Sequence, residues 1–154
     1  MTRPPLPAIL LGAAGLLPFL WSVAVLRGWV WADMGDPVEG GYPLIVAADA
    51  AEWLLGYGTI ILSFMSGVLW GFATRAERGD MWWAFGLSVL PALWAFFNAG
   101  DTAAQLTHIA WGFLGLLLLD GHYQRRGLAP GWWMTLRLPL TAVVVACLLI
   151  GANA

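Results

Sequence analysis

Residues 54–73, LLGYGTIILSFMSGVLWGFA, form a run of twenty without an Asp, Glu, Lys, Arg or His. Wound as an α-helix rising ~1.5 Å per residue, such a run extends about 30 Å, the thickness of a bilayer's hydrocarbon core. Its nine Leu, Ile, Val and Phe residues each favour insertion by ~0.3–0.6 kcal/mol near mid-membrane, or roughly 3–5 kcal/mol together. A water-soluble helix of this length carries a charged stripe. This one offers only small or weakly polar residues on its polar side. The run predicts a membrane-spanning helix. Lipid as solvent then excludes open sheet edges and irregular backbone in contact with it.

The rest of the chain repeats this pattern. With 60% hydrophobic and 10% charged residues over 154 positions, it lies far from the ~25% charge of soluble domains. Apolar segments predict helices over residues 6–26, 44–73, 81–100, 102–120 and 136–152. The expected fold is all-α, a single integral membrane bundle of five transmembrane helices filling residues 1–154. The first segment is too long for a signal peptide, contains Pro18 and lacks a small-x-small cleavage site near its end, so it reads as a retained span. Pro18 predicts a kink.

All seven basic residues are arginines. Arg3, Arg75, Arg78, Arg125, Arg126 and Arg137 fall on one side of the threaded chain, and Arg27 alone on the other. The positive-inside bias places the N-terminus in the cytoplasm and the C-terminus in the periplasm. The acidic loop with Asp33, Asp36 and Glu39 then faces outward, with Trp31 and Tyr42 suited to the interface. Paired tryptophans at 82–83 and 132–133 suit the opposite interface. Without lysine there is no lysine nucleophile. The scattered arginines form no dense basic patch, so no nucleic-acid partner is expected. The lone Cys147 reads as a small packing residue.

Ionisable and amide side chains near membrane depth are the natural functional candidates, since a charge at a helix centre costs ~2.5–3.5 kcal/mol on insertion scales. Asp49 and Glu52 open helix two, Asn98 and Asp101 close helix three, and Gln105 and His108 lie near the start of helix four. All six belong to the outward end. Three readings fit them. Asp101 caps helix four while the others are solvated or bond neighbouring helices. Alternatively, His108 pairs with Glu52 or Asp101 in a proton-linked or ligand-binding pocket. A carboxylate–imidazole metal site is the third, although the spacing matches no metal motif. From Glu52 the same helix face continues through Gly56, Thr59, Ser63 and Gly67, which would allow close helix approach. At the opposite end, Arg125, Arg126 and Arg137 are candidate contacts for lipid headgroups. Asp120 and His122 join the first two in a charge cluster at the surface, and Arg137 is expected to snorkel toward the interface. No haem pair, phosphate loop, nucleophile elbow or dinucleotide fingerprint is present, so no cofactor is assigned.

Three blocks carry a resemblance: LGAAGLLPF at 11–19, YGTIILSFMSGVLWG at 57–71 and PGWWMTLRLPLT at 130–141. Their order is similar to that of an uncharacterised family of small polytopic membrane proteins that includes transmembrane protein 69. The middle block resembles the family's Tyr-Gly…Ser-Phe…Gly-x-x-Trp-Gly signature. Leu69 stands where the family often has His or Arg. The resemblance implies a multi-pass bacterial or mitochondrial inner-membrane protein and brings no catalytic residues.

For a bacterial inner-membrane protein of this kind, the favoured expectation is a non-enzymatic accessory, assembly or stabilising subunit, with the lipid bilayer and other membrane-protein subunits as partners. A small transporter or ligand carrier using the outward polar cluster is the alternative. A metal-dependent membrane enzyme is the third.

Overall fold

A computed structural model describes residues 3–29 and 49–154. The acidic loop and the expected first turns of helix two, residues 44–48, lie outside the described residues. Every regular element among those described is helical: α1 Leu6–Ala14, α2 Leu17–Leu26, α3 Ala50–Ala73, α4 Met81–Ser88, α5 Leu90–Phe96, α6 Thr102–Arg125 and α7 Trp133–Ala152. Four stretches are long and apolar enough to cross a membrane: Leu6–Leu26, Ala50–Ala73, Thr102–Arg125 and Trp133–Ala152. Met81–Phe96 is a shorter apolar stretch.

Prolines explain the two interrupted helices. Pro18 and Pro91 each sit in the first turn of a new helix, just after a break at Gly15–Leu16 and at Val89. Proline lacks an N–H, and its ring crowds the carbonyl four residues back. A carbonyl beside each break finds a donor on α3. Tyr57 Oη donates to Gly15 O at 3.1 Å, and Ser66 Oγ donates to Ser88 O at 2.5 Å. Such side-chain donors are how a membrane helix tolerates a break. Pro139 lies inside α7, which continues past it.

α3 is the hub and packs against α2, α4, α5, α6 and α7. Its buried stripe is Leu54, Gly58, Leu62, Met65, Ser66, Leu69 and Ala73, spaced three or four apart as one helical face requires. Leu54, Leu62 and Leu69 meet Phe19 from α2, Leu106, Ile109, Phe113 and Leu116 from α6, and Leu148 from α7 in one core. Gly58 allows close approach, since a Cβ there would lie 3.3 Å from both Ile109 Cγ2 and Leu148 Cδ2. The small-residue row that would allow close helix approach points away from this bundle. Glu52, Gly56, Ser63 and Gly67 are exposed. The reason is packing: Leu54, Leu62 and Leu69 interdigitate with side chains of α2, α6 and α7 and gain van der Waals contacts that the small row does not offer.

Several helix limits differ from the expectation. The third helix stops at Phe96, short of the expected residue 100, and Gly100 adopts φ +117° in the turn before α6. α6 runs through residue 120 to Arg125, and α7 starts at Trp133, ahead of the expected 136. The α6–α7 connection is fixed by specific bonds. Leu128 N and Ala129 N both donate to Tyr123 O, and Arg75 Nη1 donates to Leu128 O at 3.0 Å. Gln124 Oε1 accepts from Met134 N at 2.8 Å, giving the first turn of α7 an acceptor.

Candidate functional site

Among the described residues, no side-chain hydrogen bond or ion pair joins the six polar residues expected at the outward end. Asp49, Glu52 and Asp101 are exposed. Asp101 is the N-cap of α6, its Oδ1 accepting from Ala104 N at 2.8 Å. Gln105 Nε2 donates to Gly100 O at 2.6 Å. The His108 ring stacks on Trp94, centroids 4.3 Å apart. His108 Nε2 lies 2.9 Å from Trp94 O, and Trp94 Nε1 donates to His108 O at 2.8 Å. This reciprocal clasp ties α5 to α6. Asn98 Oδ1 is buried without a partner among the described residues. Among those residues, no three His, Cys, Asp or Glu side chains gather closely enough to hold a metal ion.

The buried ionic constellation lies at the other end of the bundle. Asp120 on α6 is 0% exposed and Arg137 on α7 is 6% exposed. Arg137 Nε donates to Asp120 Oδ2 at 2.9 Å, and Trp133 Nε1 donates to Asp120 Oδ1 at 2.7 Å. Both donors sit on one face of α7, one turn apart, as i and i+4 must. The aspartate therefore joins the two helices through both of its oxygens. Arg137 Nη2 and Thr141 Oγ1 have no protein partner among the described residues.

This arrangement corrects two expectations. Asp120 is not part of a solvated surface cluster, and Arg137 does not snorkel to the interface. The physical reason is register. The α6–α7 hairpin brings residues equally distant from its connection face to face. A carboxylate and a guanidinium held opposite each other in an apolar bundle pair with each other. Arg125 and Arg126 do remain exposed. The guanidinium carbon of Arg126 lies 5.1 Å from the centre of the Trp83 ring. The edge of that ring system also meets His122, 5.1 Å between centroids.

The hairpin register was the signal available in the sequence. Asp120 ends a charge-free run beginning at Ile109, and Arg137 is flanked by leucines in LRLPL. Each is an expensive residue in its own segment and becomes affordable only opposite the other.

The side of α3 turned away from the bundle presents a different kind of surface. Gly56, Ser63, Gly67 and Gly71 are exposed, and a Cβ on any of these glycines would meet nothing within 4 Å. Thr59 Oγ1, in the same row, donates to Leu55 O at 2.9 Å and so needs no outside partner. From Gly56 to Gly71 the row covers about four helical turns. Ile60 and Phe64, 64% exposed each, flank it.

Transmembrane protein 69 of Xenopus tropicalis is 33% identical over 148 residues, which cover 92% of this chain and 51% of that protein. The chain thus spans about half the length of the curated relative it matches. No solved structure matches. The sequence profile of a family described as a protein of unknown function, DUF3429, matches residues 4–153. The profile match along nearly the whole chain makes this multi-pass membrane protein a member of the DUF3429 family.

Proposed function

We propose that this protein is a non-enzymatic accessory or assembly subunit of a larger complex in the bacterial inner membrane. In this reading it crosses five times, with Met81–Phe96 as the kinked third span, the N-terminus cytoplasmic and the C-terminus periplasmic. The arginine distribution supports that orientation. One observation carries the functional reading. The central helix turns a row of small residues, Gly56, Thr59, Ser63, Gly67 and Gly71, away from its own bundle. In lipid there is no hydrophobic drive between helices, so tight association depends on van der Waals contact and close backbone approach. The proposed occupant of this row is a transmembrane helix of another subunit.

The test is affinity isolation of the tagged full chain from native membranes in mild detergent, followed by identification of what accompanies it. A Gly56→Leu/Gly67→Leu variant fills the row without touching the bundle's own packing. The expected result is a defined membrane complex with the wild type and its loss with the variant, at unchanged thermal stability. A wild-type protein that runs alone would refute the proposal, as would a complex indifferent to the variant.

A further inference from the structure

A polar cavity of about 180 Å³ opens at the end of the bundle where α3 gives way to α4, beside the α6–α7 connection. Arg75, Glu77 and Asp80 line it from the α3–α4 turn, Trp83 from α4, and Arg126 and Leu128 from the α6–α7 connection. Two cations and two carboxylates thus share one cavity. The only ion pair among the described residues is Arg137–Asp120, so none of these four is paired within 4 Å. The Trp83 indole N–H is buried without an acceptor. Arg75 spends one donor on Leu128 O and keeps four of its five. Trp82, adjacent to Trp83 in the sequence, is 91% exposed, as suits a tryptophan at the level of the headgroups.

The charge pattern selects among ligands. A purely anionic headgroup meets Glu77 and Asp80, and a simple cation meets Arg75 and Arg126. A zwitterion with a phosphate and an ammonium a few bonds apart satisfies both pairs. A primary ammonium can donate hydrogen bonds to the two carboxylates, whereas a quaternary choline cannot and depends on open aromatic faces. Here one face of Trp83 is already covered by the Arg126 guanidinium. We propose that this cavity binds a phosphoethanolamine group, with Arg75, Arg126 and the Trp83 N–H on the phosphate and Asp80 and Glu77 on the ammonium. The position at the membrane surface makes phosphatidylethanolamine the natural source.

The full chain is reconstituted in bilayer discs of phosphatidylcholine containing equal minor fractions of phosphatidylethanolamine and phosphatidylglycerol. It is then extracted in mild detergent, and retained lipid is measured by mass spectrometry. Wild-type protein should retain phosphatidylethanolamine about tenfold above its share, the scale of one charge-assisted contact. Arg126→Gln and Asp80→Asn should each remove that enrichment, while Arg126→Lys keeps most of it. Neither Arg126 nor Asp80 uses its side chain in a hydrogen bond among the described residues, and thermal unfolding of each variant verifies that it is folded. Titration with soluble phosphoethanolamine separates the sources. Lipid enrichment without soluble binding identifies the membrane, and saturable soluble binding that is lost in both variants assigns the site to the free compound. Retention in proportion to bilayer content without soluble binding, preference for phosphatidylglycerol, or enrichment unchanged in both variants would overturn the proposal.

Discussion

Replacing Asp120 by leucine tests the link between α6 and α7. The carboxylate accepts from Trp133 Nε1 at 2.7 Å and from Arg137 Nε at 2.9 Å, and it is wholly buried. Leucine leaves the guanidinium buried with no counter-charge and the indole N–H with no acceptor. Removing one member of a buried pair costs about 3–5 kcal/mol. At ~1.4 kcal/mol per factor of ten, the folding equilibrium falls by roughly two to four orders of magnitude. Arg137→Met leaves the opposite charge stranded and should cost a similar amount. The double variant Asp120→Leu/Arg137→Met strands neither charge, leaving only the Trp133 N–H without its acceptor, and apolar replacement of a whole buried pair is often neutral or stabilising. The double variant should therefore recover most of the loss. Reversible denaturant unfolding in detergent micelles, followed by tryptophan fluorescence, completes the double-mutant cycle. Single variants within about 1 kcal/mol of wild type would refute the reasoning, since an exposed pair is worth no more than that. Additive losses in the double variant would also refute it, because they would mean that the two side chains act independently.

Other expected outcomes follow from local geometry. A Cβ at Gly112 would come within 2.6 Å of Leu62 Cδ2 and 2.7 Å of Trp94 Cδ1, so Gly112→Ala should destabilise by roughly 1–3 kcal/mol. Gly115→Ala, with nothing within 4 Å, should be neutral or stabilising by up to ~1 kcal/mol; thermal unfolding in micelles ranks the two. His108→Ala removes one hydrogen bond and a ring stack on Trp94 and should cost roughly 1–3 kcal/mol. A stable His108→Ala protein that has lost a solute-uptake phenotype would instead favour the ligand-carrier reading. For the proposed orientation, alkaline phosphatase fused to the C-terminus should be active and a fluorescent protein inserted at Gly79 should fluoresce; the reverse pattern would invert the threading.

The segments that cross lipid were readable because lipid leaves few choices. A chain of twenty uncharged residues such as 54–73 must satisfy its backbone internally, and the structure makes it one unbroken helix. The break near Pro18 was also legible, since the ring conflict is local. Which face of α3 turns inward was not. Small residues permit close approach, but they do not say whether the neighbour belongs to the same chain. The packing of Leu54, Leu62 and Leu69 decided that point, and it depends on what α2, α6 and α7 offer in return. The Asp120–Arg137 pair was missed for a related reason. Read one helix at a time, an aspartate near a helix end and an arginine near a helix start each look like interface residues. Only their register across the connection brings them together. At Asp101 the local signal sufficed, because an N-cap needs no information beyond its own turn.

The two hydroxyl bonds from α3 reach across the chain in opposite directions, one back to the first broken helix and one forward to the second. Residues 6–26 are synthesised before Tyr57, so on leaving the ribosome the first span holds an acceptor at Gly15 whose donor has yet to be made. Residues 81–96 emerge after Ser66, and their acceptor at Ser88 has its donor waiting. The newborn protein is thus lopsided in time: at its first break the acceptor is made before its donor, and at its later break the donor is made before its acceptor.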